Sequence, residues 1–235
     1  MPESNPKTVL ITGANRGIGR QLVDDFVDRG CRVLAGTRQN DLSGSPVADI
    51  ADGGGSATWI GLDVSHHDSF ATLAANDGFF ENGLDVLINN AGVYPDAGDI
   101  TDVAIATIQQ TLNVNTYAPL LLVRALHDHL MRSNDARVIN ISSHMGRRDG
   151  LRADAPAYCL SKLMLNAVTQ MMADRYADDG IKINAASPGW TRTDMGGSNA
   201  QRDVATAAAG IVQLALDRSP AQSGKFFYDG EVIGW

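Results

Sequence analysis

The chain has little cysteine and no excess of basic residues. Its two cysteines, Cys31 and Cys159, are too few for a disulfide framework in 235 residues, so we expect both to be free thiols. The formal net charge at pH 7 is −8. Because nucleic acids are bound through clustered Lys and Arg side chains, this balance argues against a protein that coats nucleic acid, and we expect no nucleic-acid partner.

The chain also lacks long apolar runs. No stretch approaches the ~20 consecutive apolar residues that a membrane-spanning helix needs, so we expect no membrane partner. Residues 1–7 are mainly polar and contain two prolines, and no charged start leads into an apolar run, so we expect no signal peptide. A reducing, cytoplasmic location is the resulting expectation.

What the sequence does contain is a regular alternation of apolar runs and helical patterns. A hydrophobic fraction of 44% and a charged fraction of 20% are ordinary for a globular protein. The length suits one sizeable domain, which we predict to span residues 1–235. Most candidate strands are short continuous apolar runs, as expected for strands covered on both faces. They are residues 8–12, 32–37, 58–62, 86–89, 137–142, 182–186 and 225–228.

Helical patterns lie between these runs, at residues 17–29, 65–80, 104–131, 157–177 and 204–216. Such alternation implies parallel strands that are joined by right-handed helical crossovers. The predicted fold class is therefore α/β. We expect a Rossmann-type doubly wound parallel sheet of about seven strands, in the order 3-2-1-4-5-6-7, with helices on both faces.

The segment TGANRGIG, residues 12–19, joins the first predicted strand to the first predicted helix. Glycines at such a junction allow a tight turn, let the backbone approach a pyrophosphate, and let the helix pack close to the strand. The exposed N–H groups and the positive end of the helix dipole form an anion site. The segment lacks the Gly-Lys-Ser/Thr ending of an ATP-binding loop. The dinucleotide contacts predicted here are Gly13, Asn15, Arg16, Gly17, Ile18 and Gly19.

The end of the second predicted strand indicates which dinucleotide binds. An NAD-selective site places a carboxylate there to bind the ribose hydroxyls, but this chain has Thr37 followed by Arg38. Arg16 adds a second positive charge, and a guanidinium can hold a phosphate through two parallel hydrogen bonds. Either arginine alone would be interpreted as a solvated surface charge. Their joint placement predicts NADP(H) rather than NAD(H), with Thr37 and Arg38 among the cofactor contacts.

Seven short segments, taken in order, resemble the short-chain dehydrogenase/reductase family in its single-domain subtype. They are TGANRGIG (12–19), DV (63–64), NNAG (89–92), NVN (113–115), ISS (141–143), YCLSK (158–162) and PG (188–189). Together they extend over nearly the whole chain, and residues 188–197 are similar to the carbonyl-reductase branch. The resemblance implies an enzyme that interconverts small-molecule carbonyl compounds and alcohols by hydride transfer.

The candidate acid/base is Tyr158, which lies four residues before Lys162 in a helical pattern, so the two share a helix face. A free tyrosine has a pKa of about 10, too high for a good base at neutral pH. A neighbouring ammonium favours the phenolate, and an oxidised nicotinamide ring adds positive charge in the ternary complex, so we expect the pKa of Tyr158 to move toward the working range of an acid/base catalyst.

A serine hydroxyl is expected to hydrogen-bond the substrate oxygen and stabilise the charge that develops there. Ser142 and Ser143 are both candidates, and the family pattern with Gly146 downstream favours Ser143 for this role and a structural role for Ser142. The resemblance further implies that Lys162 donates to the nicotinamide ribose. It also implies that Asn115 anchors a water molecule that links Lys162 to solvent.

Other matched segments are cofactor contacts by resemblance. Asp63 is expected to bind the adenine edge, with Val64 donating its backbone N–H. Thr191 and Thr193 are alternative donors to the nicotinamide carboxamide or the pyrophosphate, and the family spacing favours Thr193. The residues expected to border the adenosine ribose or the nicotinamide are Asn90, Ala91, Gly92, Pro188 and Gly189.

The predicted substrate lid, residues 190–202, is short, which favours an open pocket and broad acceptance of ketones or aldehydes. Only fifteen positions separate Ser143 from Tyr158, so the long insertion that monomeric carbonyl reductases carry there is missing. The helix that starts near residue 157 is then free to pair, and we expect a homodimer or homotetramer. The residues predicted to line the substrate pocket are His144, Met145, Tyr94, Trp190 and Met195.

Other functions fit the sequence less well. An epimerase or dehydratase of the longer family subtype has a different glycine spacing and a larger C-terminal region. A non-catalytic NADP(H) sensor on the same fold is the alternative from another class, because a fold alone does not define a function. His144 beside Ser143 does not indicate a hydrolase, because no Gly-x-Ser-x-Gly segment is present. The five histidines show no metal-ligand spacing, so no metal is expected.

Overall fold

The computed structural model describes residues 6–38, 55–95, 98–216 and 222–235. Within them one sheet of eight strands has the order β3-β2-β1-β4-β5-β6-β7-β8, and every neighbouring pair is parallel except the last. The strands are β1 (Thr8–Thr12), β2 (Arg32–Thr37), β3 (Ser56–Gly61), β4 (Val86–Asn89), β5 (Arg137–Ile141), β6 (Lys182–Ser187), β7 (Phe226–Tyr228) and β8 (Glu231–Ile233).

This architecture confirms the predicted doubly wound sheet and the order of its first seven strands. The eighth strand was not predicted, because Glu231–Ile233 is three residues long and only pairs antiparallel with β7 across a tight turn. The third strand begins at Ser56, two residues earlier than predicted. Its side chains alternate between exposed and partly buried, as expected for an edge strand. The run of apolar residues in the sequence therefore indicated only the second half of the strand.

Helices cover both faces of the sheet because neighbouring side chains of each inner strand point to opposite faces. In β1, Leu10 packs into a cluster with Leu122 and Met172, whereas Val9 and Ile11 pack on the other face. The helices are α1 (Gly17–Val27), α2 (Ser69–Ala74), α3 (Ile105–Leu112), α4 (Ala118–Ala125), α5 (His127–Met131), α6 (Pro156–Arg175) and α7 (Val204–Leu216). Helices α1 and α7 share the face of Val9 and Ile11.

Two predicted helices are interrupted in the structure. The pattern over residues 65–80 forms only the six-residue helix α2, because Asn76, Asp77 and Gly78 continue as turns, which these residue types favour. The pattern over residues 104–131 divides into α3, α4 and α5. A π-helical turn, Asn113–Tyr117, separates α3 from α4, and Leu126 leaves helical geometry between α4 and α5.

Both cysteines are buried free thiols, as predicted. In the part of the chain that the structure describes, no helix combines the length and the apolar character that a bilayer crossing requires. In the same part, no three His, Cys, Asp or Glu side chains come together in a way that would hold a metal ion.

Candidate active site

A cleft opens at the carboxyl ends of the parallel strands, where the loops after β1 to β6 meet α6. Ligands of doubly wound folds bind at this edge of the sheet. The predicted residues that line the cleft are Gly13, Asn15, Arg16, Gly17, Ile18, Gly19, Arg38, Asp63, Val64, Asn90, Ala91, Gly92, Tyr158, Lys162, Pro188, Thr193 and Met195. Ser142, the alternative to Ser143, also lines the cleft, and the lining residues that were not predicted are Leu62, Ser65, Val93, Val114, Ile141 and Asp194.

The glycine segment forms the turn that was predicted between β1 and α1. Gly13 has a positive φ of 64°. A Cβ on Gly19 would lie 2.2 Å from the carbonyl oxygen of Gly13, so only glycine lets the first turn of the helix pack against the loop. No acidic residue occupies the first turn of α1, so its N–H groups present an unopposed positive dipole to the cleft.

Thr12 and Asn90 hold this loop against the end of β4. The hydroxyl of Thr12 accepts hydrogen bonds from the backbone N–H groups of Asn90 and Ala91, both at 3.0 Å. The Asn90 side chain donates to the carbonyl oxygens of Thr12 at 2.9 Å and Gly13 at 3.1 Å. Asn90 was expected to act through its main chain, whereas its side chain stabilises the loop. Thr12 was not predicted as a site residue, although it opens the matched segment.

The two predicted phosphate-binding arginines both line the cleft, and Thr37 is buried at the end of β2. Arg16 Nη1 lies 2.7 Å from Asp194 Oδ2, with side chains that are 62% and 73% exposed. An ion pair this exposed contributes at most about 1 kcal/mol, so it holds Arg16 only weakly. Arg38 is exposed at the cleft.

Asp63 lies where β3 leads into the cleft. Its Oδ1 accepts hydrogen bonds from the backbone N–H and the hydroxyl of Ser65, at 2.9 and 2.7 Å. Burial opposes ionisation, but these bonds and the nearby His66 together lower the pKa of Asp63. Asp63 is therefore an ionised acceptor at neutral pH, as binding of an amino edge requires.

The candidate catalytic groups project from α6 toward the end of β5. Lys162 is buried, and its Nζ donates a 2.7 Å hydrogen bond to the carbonyl oxygen of Ile141 while lying 5.6 Å from the ring centre of Tyr158. Burial lowers the pKa of Lys162 to about 8. Burial also raises the pKa of Tyr158 to about 12, against the opposing effect of a hydrogen bond with Ser143.

In the chain without a dinucleotide, burial thus raises the pKa of Tyr158, and its expected lowering by Lys162 together with an oxidised nicotinamide stays a prediction. The ammonium donates to the carbonyl of Ile141, and burial is the largest influence on the pKa of the phenol. Tyr158 consequently holds its proton throughout the neutral range. In this environment it is a proton donor, and a proton acceptor only when further positive charge is nearby.

The two candidate serines have different partners. The hydroxyl of Ser142 is buried and donates to Asn166 Oδ1 at 2.6 Å, which gives it a structural contact. The hydroxyl of Ser143 accepts from the backbone N–H of Met145 at 3.1 Å and hydrogen-bonds Tyr158. The geometry thus favours Ser143 as the partner of the acid/base. Asn166, one helical turn beyond Lys162, was not predicted.

Asn115 lies in the π-helical turn that interrupts the predicted helix. Its side chain bridges to the backbone of Val93, accepting from N–H at 2.8 Å and donating to the carbonyl at 2.9 Å, and it also donates to Ser161 Oγ at 2.9 Å. A Cβ on Gly92 would lie 3.3 Å from Asn115 Oδ1 and 3.7 Å from Lys162 Nζ. The amide and the ammonium thus flank Gly92. The role of Asn115 in a water relay stays a prediction.

Two threonines follow Pro188 and Gly189, and they differ in position. Thr191 is buried, and its hydroxyl donates to the carbonyl oxygens of Pro188 at 3.1 Å and Gly189 at 3.3 Å. Thr193 lines the cleft, with its methyl group beside Gly17 of the glycine loop. Of the two, Thr193 lines the cleft and Thr191 does not, and the contact of Thr193 with a ligand stays a prediction.

The predicted substrate residues fall into two groups. The ring of Tyr94 is 42% exposed and lies 4.6 Å from the ring of Tyr158, and Trp190 and Met195 are also exposed, Met195 within the cleft. His144 instead shares a 2.8 Å hydrogen bond with Ser187 Oγ and packs against Tyr228. Burial lowers its pKa, so it is neutral at pH 7. Met145 is half-buried beside it.

The sheet order, the glycine loop at its first strand and the cleft beside that loop define a Rossmann-type fold. The family model that matches residues 7–203 is described as short chain dehydrogenase, and the chain belongs to this family. A relative, the uncharacterized oxidoreductase YxbG of Bacillus subtilis, is 33% identical over 189 residues, which are 80% of this chain and 68% of that protein.

Solved structures with a similar fold include two carbonyl reductases. One is the NADPH-bound carbonyl reductase from chicken fatty liver, with a TM-score of 0.89 and 30% identity, over 99% of this chain and 100% of that chain. The other is the carbonyl reductase Sniffer of D. melanogaster, with a TM-score of 0.86 and 30% identity, over 98% of this chain and 100% of that chain.

Burying the charged side chain of Lys162 is predicted to lower the stability of the fold. Replacing this lysine with an uncharged residue should remove that cost. Its pKa is lower in the folded chain, about 8, than its usual 10.5, so the unfolded chain binds the proton more tightly between these values. The cost is therefore fully present below pH 8 and disappears as the pH rises toward 10.5. Lys162→Met is expected to raise the free energy of unfolding at pH 7 by about 1–3 kcal/mol.

Urea unfolding at pH 7 measures this change, with Lys225→Met as the control at an exposed lysine. The control is expected to unfold within about 0.5 kcal/mol of the natural chain. A Lys162→Met variant that is clearly less stable than the natural chain would show that the buried ammonium stabilises the fold.

Proposed function

We propose that this chain is an NADP(H)-dependent oxidoreductase that reduces ketone or aldehyde carbonyls to alcohols, or catalyses the reverse reaction, with Tyr158 as the general acid/base. The observation that carries the proposal is the pairing of Tyr158 with Ser143 beside buried Lys162 at one end of the dinucleotide cleft. A phenol with a pKa raised by burial is a proton donor at neutral pH, which the reduction of a carbonyl requires.

The residues of the cleft fit an NADP(H) cofactor. The glycine loop and the N-terminus of α1 provide N–H donors for a pyrophosphate. Arg16 and Arg38 provide two guanidinium groups for a 2′-phosphate, and Thr37 stands where an NAD-selective site would have a carboxylate. The similar chicken carbonyl reductase binds NADPH, which supports the same choice here. Bound NADPH would supply the hydride.

The chain's own groups then supply the proton and stabilise the charge. Tyr158 donates its proton to the carbonyl oxygen as negative charge develops there. The Ser143 hydroxyl stabilises the same oxygen by a hydrogen bond. Lys162, held by the carbonyl of Ile141, maintains a positive charge near the phenol and so stabilises the phenolate that is left when Tyr158 gives up its proton.

The substrate is proposed to enter beside the aromatic ring of Tyr94 and under the lid, residues 190–202. Tyr94, Trp190 and Met195 offer apolar surface. Two arginines on the loop before α6 pair with neighbouring carboxylates, Arg147 with Asp149 at 2.8 Å and Arg152 with Asp154 at 2.5 Å. This arrangement supports uncharged carbonyl substrates of varied shape.

The test is the loss of NADPH absorbance with a panel of aldehydes, ketones and diketones, repeated with NADH. We expect turnover of at least one carbonyl with NADPH and a preference for NADPH over NADH. Tyr158→Phe should lower kcat by about 10²–10⁴-fold and leave NADPH binding intact, because only the proton donor is lost. Tyr117→Phe, at an exposed tyrosine outside the cleft lining, is the control.

Binding of NADPH without turnover of any carbonyl would contradict the enzymatic proposal and support the non-catalytic alternative. Equal use of NADH and NADPH would contradict the role of the two arginines. Turnover unchanged in Tyr158→Phe would show that another group supplies the proton.

We also propose that the chain forms a homodimer or homotetramer through α6, in a reducing, cytoplasmic setting that its two free thiols suit. The outward face of α6 carries an apolar stripe at positions 160, 164, 167 and 171, a helical spacing. Leu160 is 38%, Met164 39% and Met171 71% exposed. Such a continuous apolar face is typical of an interface between subunits.

Light scattering at micromolar protein tests this proposal. We expect two or four copies of the 25.0 kDa chain, and dissociation in Met164→Glu, because a carboxylate in an apolar interface is costly. Met131→Glu changes an exposed methionine outside the stripe and should leave the mass unchanged. A monomeric mass for the natural chain would refute the proposal.

A further inference from the structure

We propose that Arg202 is a positioning residue, which fixes the end of the lid and the loop after β6 on the turn between β7 and β8. Through Tyr228 and His144 it also fixes the loop that carries Ser143. The inference rests on the proposed function insofar as Ser143 and the lid belong to an active site. The contacts that define the junction are independent of it.

The side chain of Arg202 is held by a two-pronged ion pair. Nη1 and Nη2 donate to the two carboxylate oxygens of Asp229 at 2.6 and 2.7 Å, and Nη1 also donates to the hydroxyl of Tyr228 at 2.7 Å. The arginine side chain is only 15% exposed. A bidentate pair with a mostly buried guanidinium has one defined geometry, unlike the exposed pair between Arg16 and Asp194.

Backbone hydrogen bonds of Arg202 join the last residue of the lid to its first residues. Its N–H donates to the carbonyl of Trp190 at 3.2 Å, and its carbonyl accepts from the N–H of Arg192 at 2.8 Å. These bonds pair Thr191 with Arg202 as a parallel bridge. One residue therefore ties the first and last positions of the lid together, so a movement of Arg202 would move both ends.

The same side chain supports the loop expected to border the nicotinamide. A Cβ on Gly189 would lie 2.7 Å from Cδ of Arg202 and 3.1 Å from Cε2 of Tyr228, and Gly189 has a φ of 71°. The backbone at Gly189 thus rests directly on Arg202 and Tyr228. Its N–H donates to the hydroxyl of Ser187 at 3.3 Å.

A second set of contacts leads from this junction to the catalytic serine. The ring of Tyr228 meets that of His144 edge to face, with 4.8 Å between centres, and His144 shares a 2.8 Å hydrogen bond with Ser187. His144 directly follows Ser143 in the chain. The loops after β5, β6 and β7 and the end of the lid therefore meet around Arg202 and Tyr228.

The turn between β7 and β8 holds the carboxylate partner of Arg202, and the guanidinium keeps one buried donor without a partner among the residues that the structure describes. Asp229 has a φ of 50°, and among the described residues it alone has a positive φ without being glycine. Arg202 Nε is buried and has no hydrogen-bond partner within the described part of the chain. Asp229 and Gly230, with φ values of 50° and 78°, form the two-residue hairpin turn that an Asp-Gly pair favours, and this turn holds the carboxylate toward Arg202.

A second buried ion pair, at the amino end of β5 and away from the cleft, provides a control that distinguishes a positioning role from a role in stability alone. Arg137, at the start of β5, pairs with Asp135 with Nη2 to Oδ2 at 3.1 Å and a side chain that is 7% exposed. It also donates to the carbonyl of Leu214 at 3.1 Å. Arg137→Met removes a buried guanidinium far from the cleft, whereas Arg202→Met removes one at its rim.

The experiment compares Arg202→Met with Arg137→Met in the full-length chain by hydrogen exchange and by kinetics. In Arg202→Met we expect amide exchange to accelerate by about tenfold or more at residues 190–202 and 143–146, because their anchor is lost. In Arg137→Met these segments should exchange as in the natural chain. We expect kcat/KM for a carbonyl to fall by about tenfold or more only in Arg202→Met, with a changed ratio of product enantiomers.

A merely structural role predicts a different result. Equal exchange of the lid and of residues 143–146 in the two variants, with unchanged enantiomer ratio, would overturn the proposal. If Arg202→Met does not fold, Asp229→Asn keeps the shape of the partner, removes its charge and suits the positive φ, and the same two outcomes apply. If the natural chain reduces no carbonyl, the proposed function fails, but the exchange comparison still decides the role of Arg202.

Discussion

The close contact between Gly146 and α6 is the constraint on which the rest of the site depends. A Cβ on Gly146 would lie 2.7 Å from the backbone carbon of Lys162, so the loop after β5 and the helix touch backbone to backbone. Asn166 strengthens this contact by donating to the carbonyl of Gly146 at 3.0 Å while it accepts from the hydroxyl of Ser142. Because the two segments are this close, Ser143 reaches Tyr158.

The close contact between the loop and α6 also explains the direction of the pKa shifts of Tyr158 and Lys162. A helix pressed onto the end of a sheet buries its inward face, and here that face carries Lys162, with Tyr158 half-buried beside it. Burial disfavours charge on both, so the phenol keeps its proton and the amine holds its own less tightly. The hydrogen bond from Lys162 to Ile141 offsets part of that cost and fixes the ammonium. The proton donation proposed for Tyr158 thus depends on packing that also places a costly ammonium, Lys162, inside the fold.

Much of the fold and the cofactor cleft was predictable because the signals were local. Strands covered on both faces leave apolar runs, and a glycine-rich turn between strand and helix leaves a short segment with fixed spacing. The features that were not predicted from the sequence depend on contacts between residues that are distant in the chain. Arg202 and Asp229 stand 27 positions apart and become partners only when the lid folds back. The direction of the Tyr158 pKa shift depends on depth of burial, and the interruption near Asn115 depends on its bonds to Val93, which no helical pattern reveals.

The most direct test is single-turnover hydride transfer from NADPH to a carbonyl in Gly146→Ala, compared with Gly61→Ala, where an added Cβ meets no atom within 4 Å. Thermal unfolding and NADPH binding, measured on both variants, identify any loss that comes from misfolding. We predict that Gly146→Ala folds, binds NADPH and transfers hydride about a hundredfold more slowly, because Ser143 and Tyr158 no longer meet. Hydride transfer in folded Gly146→Ala at the rate of Gly61→Ala would contradict the account.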